Sequence, residues 1–161
     1  MKKPIVIGAG ILLVLLLVRI GVSLANQGDD RTQIRDALDQ SLKASRDGKS
    51  GGVMDLLSSK LTYNNSDAGS ALPQVVNFIR SNRPEITVEN PDPVVKGDSA
   101  EIDSPVDVKL QIMTFEKNIH LNRVVLVFQK EHVMKWAIFP TTQWRLVQVE
   151  SNDSLPTDLL Q

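Results

Sequence analysis

The chain has no cysteine, which excludes disulfides, thiolate nucleophiles, zinc knuckles, iron–sulfur clusters and a lipid-modified thiol. Histidine is nearly as scarce, so His120 and His132 are the only imidazoles available for metal binding or proton transfer. A single tyrosine and an aromatic content of 4% leave little to stack on nucleobases. The 18 basic residues are balanced by 19 acidic ones, so no basic field attracts a nucleic acid. Neither G-x-S-x-G nor H-E-x-x-H occurs, and Gly8-Ala9-Gly10 lies inside an apolar run instead of after a strand. Hydrolase and phosphate-loop signatures are therefore missing, and no motif calls for a cofactor. At 161 residues the chain has room for one core, not for separate catalytic and regulatory domains.

What is present begins with a greasy leader. Residues 1–25 hold Lys2, Lys3 and Arg19 and no acid, so the rest of the chain is net acidic. From Ile5 to Val18, through Leu12 and Leu16, no side chain is charged or strongly polar. Such a run must enter a membrane, and two readings fit it. The span from Pro4 to Ala25 is roughly 33 Å as a helix, enough to cross a hydrocarbon core of about 30 Å. Arg19 would cost roughly 2.5 to 3.5 kcal/mol at mid-membrane, but near one end it can snorkel. Alternatively, the basic start, the apolar stretch and the small pair Ser23 and Ala25 describe a secretory signal cleaved near Ala25. The anchor is preferred, giving a single-pass membrane protein; cleavage would give a secreted or periplasmic one. Lys2 and Lys3 favour a cytoplasmic N-terminus, so either reading places the folded domain outside the cytoplasm.

Residues 26–31 read as a polar linker, 32–150 as one α+β domain and 151–161 as a flexible tail. Ile34, Ala37, Leu38 and Leu42 have helical spacing, with Asp30 or Thr32 as cap and Gly48 where a C-terminal glycine belongs. Val53, Met54, Leu56, Leu57 and Leu61 predict a second, short helix, ended by the turn-rich stretch Asn64 to Gly69. Leu72, Val75, Val76 and Ile79 predict a third, with Pro73 in its first turn and Pro84 beyond it. After Pro84 the period falls to two. Ile86 and Val88 alternate, Ala100 and Ile102 follow the Lys96-Gly97-Asp98 turn, and Val106, Val108, Leu110 and Ile112 form the clearest apolar face. In Ile119 to Lys130 the apolar parity switches between Leu121 and Val124, so a bulge near Asn122 and Arg123 is expected. Val124 to Phe128 is apolar throughout, as in a strand covered on both faces.

Helices followed by antiparallel strands give three helices packed on one face of a curved sheet. The order resembles the nuclear transport factor 2-like superfamily, which includes ketosteroid isomerase, scytalone dehydratase and SnoaL-type cyclases. The residues that carry the resemblance are Ala44-Ser45-Arg46-Asp47-Gly48, Val53-Met54-Asp55-Leu56-Leu57, Gly97-Asp98-Ser99-Ala100-Glu101-Ile102, Lys135-Trp136 and Trp144-Arg145-Leu146. It covers about residues 30 to 150 and implies a cystatin-like cone with an apolar cavity and, commonly, dimers through the sheet.

Enzymes of that superfamily keep acids, a tyrosine or a histidine inside the cone, and an isomerase or dehydratase of that type would need the same. The inward candidates here are Val106, Val108, Leu110 and Ile112, none of which moves a proton. Tyr63 is the best candidate for a ligand-contacting hydroxyl. Asp107 shares its parity with Lys109, Asp36 and Asp39 avoid the apolar face of the first helix, and His120 and His132 read as surface residues. With the histidines apart and no carboxylate cluster evident near them, neither a catalytic residue nor a metal site is assigned. Val125, Val127, Trp136 and Ile138 offer more apolar surface than one helical layer needs. The expectation is a tethered or exported, non-enzymatic cone that acts through a homodimer or a protein partner, with binding of a small apolar ligand as the alternative.

Overall fold

A computed structural model describes residues 29–112, 115–135 and 139–153. The expected membrane segment, with Ile5, Leu12, Leu16 and Arg19, lies outside them, as do Trp136, Ile138 and residues 154–161. No helix among the described residues is long and apolar enough to cross a membrane.

Helix α1 (Asp30–Arg46) buries Ile34, Leu38, Ser41, Ala44 and Ser45, one stripe at helical spacing. It ends as its glycine predicts. Gly48 takes φ 71°, and the amides of Gly48 and Lys49 bond back to the carbonyls of Ser45 and Ala44 at 3.0 and 2.8 Å, a Schellman closure. Helix α2 (Ser50–Met54) is shorter than its apolar spacing suggested. Leu57 and Leu61, expected to extend it, lie in strand β1 (Leu57–Tyr63), whose burial does not alternate and so left no period-two mark in the sequence. A two-residue strand β2 (Ser66–Asp67) and a 3₁₀ turn (Gly69–Ala71) lead into α3 (Leu72–Asn82), which buries Ile79.

The remaining strands are β3 (Glu85–Val88), β4 (Val94–Lys96), β5 (Ser99–Ile112), β6 (Phe115–Lys135) and β7 (Phe139–Ser151). They assemble in the order β2-β1-β7-β6-β5-β3, with β4 also on β5. The sheet is mixed, not purely antiparallel as expected, because β1 runs parallel to β7. Two short strands expected on either side of Pro105 are one continuous β5. Ser104 pairs with Val124 and Val106 with Leu121, so Asn122 and Arg123 oppose Pro105 alone and form the anticipated bulge. A second irregularity sets Val147 outside the β6–β7 pairing.

The helices contact one another and share one side of the sheet, where Ile34 and Leu38 meet Ile102, Leu121, Leu126, Phe128 and Trp144 in the main core. Full burial of each large side chain contributes about 1.5–3 kcal/mol. The first residues assigned to a flexible tail are held. Asn64 donates to the Ser151 carbonyl at 3.1 Å and accepts from its amide at 2.9 Å, and Asp153 accepts from the Asn122 amide at 2.6 Å.

Candidate functional site

The two faces of the sheet differ in chemistry. On the concave side Val106 and Leu110 are buried and Val108 is half-buried; Ile112 is the last residue of the strand. Val106 and Val108 join a core whose Ile34, Ile102 and Phe128 are 0% exposed. Among the described residues every buried polar side chain is a serine: Ser41, Ser45, Ser50, Ser58, Ser104 and Ser151. No carboxylate, imidazole or phenol is enclosed there, so the described interior holds no group whose burial would tune it for proton transfer. Tyr63 is half-buried at the end of β1, opposite Val149 of β7 and Ser66 of β2.

The described cavities open at the surface and are polar. One of about 560 Å³ lies between the helices and the far ends of β6 and β7, touching Gln33, Gln40, Thr142, Gln143 and Arg145. Another, of about 570 Å³, is bordered by Arg46, Arg83, Glu85, Lys109, Leu110 and Glu116. Tyr63, Val106 and Val108 line neither of these, nor the one of about 510 Å³ beside Lys60, Glu131 and His132.

On the convex side Val125 and Val127 are half-buried on β6, near the middle of the sheet. Their strand neighbours are polar: Val125 lies between Asp103 and Glu150, and Val127 between Glu101 and Gln148. Arg123 grips Asp103 from one edge, its Nε 3.1 and 3.0 Å from the two carboxylate oxygens and its terminal nitrogen 2.6 Å from one. That hydrogen bond, helped by the guanidinium charge, holds the Asp103 carboxyl below its usual range and raises Arg123 in turn. At the other edge Ser58 donates to Glu131 at 2.6 Å, and Arg145 donates to the Leu57 carbonyl at 3.0 Å.

The titratable candidates are exposed or half-exposed, as the strand parity implied, but two expectations need correction. His132 lies within β6 and not in a turn. His120, expected without carboxylates nearby, stands directly opposite Asp107, its Nδ1 2.7 Å from Oδ1. This contact was hidden in the sequence because it depends on the β5–β6 register. The hydrogen bond to Asp107 raises the His120 pKa above its ordinary value; partial desolvation opposes it, and the charges of Asp107, Glu89 and Asp153 add to it. Asp36 and Asp39 are exposed on α1.

A bent sheet with its helices on one side, two long hairpins and a parallel β1–β7 edge is a known arrangement. The fold is that of the nuclear transport factor 2-like proteins. A nuclear transport factor 2-like protein with a cystatin-like fold from Novosphingobium aromaticivorans is 17% identical, at a TM-score of 0.55, over 92% of this chain and 97% of its own. A conserved protein from Planctomyces limnophilus matches at 0.58 with 13% identity, over 76% of this chain and 94% of its own. The CaMKII hub of S. rosetta matches at 0.57 and 17% identity, over 79% of this chain and 98% of its own. No family model matches the sequence, and no curated protein matches it.

Proposed function

We propose that the domain works through contacts made by the convex face of its sheet, pairing with a second copy of itself or with a protein partner. One observation carries the reading: the central strand presents Val125 and Val127 on a face that no described helix covers, while the enclosed polar side chains among the described residues are serines alone. Two similar structures are named a hub and an association domain, and that use of the same fold supports self-association here. Ile34, Ile102, Leu110 and Phe128 pack the interior, which gives less support to a small apolar ligand or to isomerase chemistry. In this reading residues 1–25 carry the domain to the membrane as a single-pass anchor and leave it outside the cytoplasm. The apolar run from Ile5 to Val18 supports that placement.

Light scattering coupled to size-exclusion chromatography of the full chain in detergent, corrected for bound detergent, tests the interface. The wild type is expected above the 17.8 kDa of one chain, and a Val125→Asp/Val127→Asp variant at that mass with an unchanged circular dichroism spectrum. A wild type that stays monomeric at high concentration and captures no protein partner refutes the reading. Protease protection of the domain in sealed vesicles tests its side of the membrane.

A further inference from the structure

We propose that Glu89, Asp107 and His120 form a binding site for a divalent first-row transition ion of the Zn²⁺ class on the convex rim of the sheet. Each residue offers one ligand atom, and the three atoms lie within 4.8 Å of one another. They come from three adjacent chain segments. Asp107 of β5 faces His120 of β6, and Thr87 of β3 faces Asp107 from the other side. Glu89 follows β3 by one residue and is pinned there by the bond from its amide to the Pro105 carbonyl at 3.2 Å. The Asn122–Arg123 bulge opposite Pro105 shifts the parity of β6, so His120 shares the convex face with Asp107 while Val124 still faces the core.

The His120–Asp107 contact alone could be an ordinary ion pair, but it does not account for Glu89. Two carboxylates converge here on a single imidazole. The charge of Asp153 also acts on the same imidazole. Like charges held together this way favour a cation, and one imidazole nitrogen with two carboxylate oxygens is a donor set for Zn²⁺, Mn²⁺ or Fe²⁺. The His120 and Asp107 side chains are 53% and 42% exposed, so an ion can enter without unfolding and keep water in its remaining positions. Three ligands with such access make an exchangeable site.

The test is calorimetric titration of the full chain, stripped with chelator, with zinc chloride, alongside thermal melts. One equivalent of zinc is expected to bind and raise the melting temperature, and chelator to reverse it. Glu89→Gln and His120→Ala should each weaken binding at least about tenfold, whereas His132→Ala should leave it unchanged. All three side chains are at the surface, and circular dichroism checks that each variant is folded. No binding at millimolar zinc, or binding indifferent to Glu89→Gln, overturns the site. Because the zinc readout is independent of chain assembly, its failure would not bear on the valine face.

Discussion

Asp30 is the most informative single residue to remove. It opens α1, and its carboxylate accepts from Lys130 Nζ at 3.0 Å and from the Trp144 indole at 3.2 Å. The Lys130 ammonium also lies 5.1 Å from the centre of the Trp144 ring, so one acid, one base and one aromatic close the end of the cone together. The Asp30 and Lys130 side chains are 33% and 27% exposed, so screening limits the ion pair to below about 1 kcal/mol. Trp144 is 5% exposed, and leaving its N–H unpaired adds about 1–3 kcal/mol. Asp30→Ala should therefore cost about 2 kcal/mol. Asp30→Asn keeps an acceptor for the indole and should cost about half of that. Urea unfolding followed by tryptophan fluorescence measures both, with the midpoint shifting at constant slope. A Lys130→Met background completes a double-mutant cycle, and coupling with Asp30→Ala should be about 0.5–1 kcal/mol. A loss below about 0.5 kcal/mol for Asp30→Ala, or equal losses for Asn and Ala, would refute the account.

Two other perturbations follow from close geometry. A Cβ on Gly52 would lie 2.6 Å from that of Ala44, so Gly52→Ala should destabilise by about 1–3 kcal/mol, and Ala44→Gly in the same chain should recover part of it in chemical denaturation. Asp103 has its folded pKa lowered by Arg123, so it contributes stability above its unfolded pKa that is lost as the pH falls through the folded value. Carboxyl-detected NMR titration should find Asp103 titrating below 3.8, the value for an unperturbed group, and Arg123→Ala should restore it. High salt should shrink the difference, since both side chains are exposed.

Local patterns were legible where one face is consistently buried. Ile34 and Leu38 announced α1, Gly48 its end, and the parity switch between Leu121 and Val124 the bulge at Asn122 and Arg123. What stayed hidden depends on pairing over long distances. In β1, the buried Ser58 and exposed Ser59 and Lys60 break the alternation, so Leu57 and Leu61 mimic a helical spacing. Its parallel alignment with β7 leaves no local mark. The meeting of Glu89, Asp107 and His120 is equally silent, because only the register of β5 against its two neighbours brings them together.

That parallel edge has a consequence for how the protein is made. Leu57 and Arg145, joined by a hydrogen bond, are 88 positions apart, so β1 emerges from the ribosome long before the strand that completes it. Until translation reaches β7, the backbone of β1 can dock only on the two-residue β2 or stay exposed. Contacts of such high order slow folding and leave a sticky edge in the nascent chain.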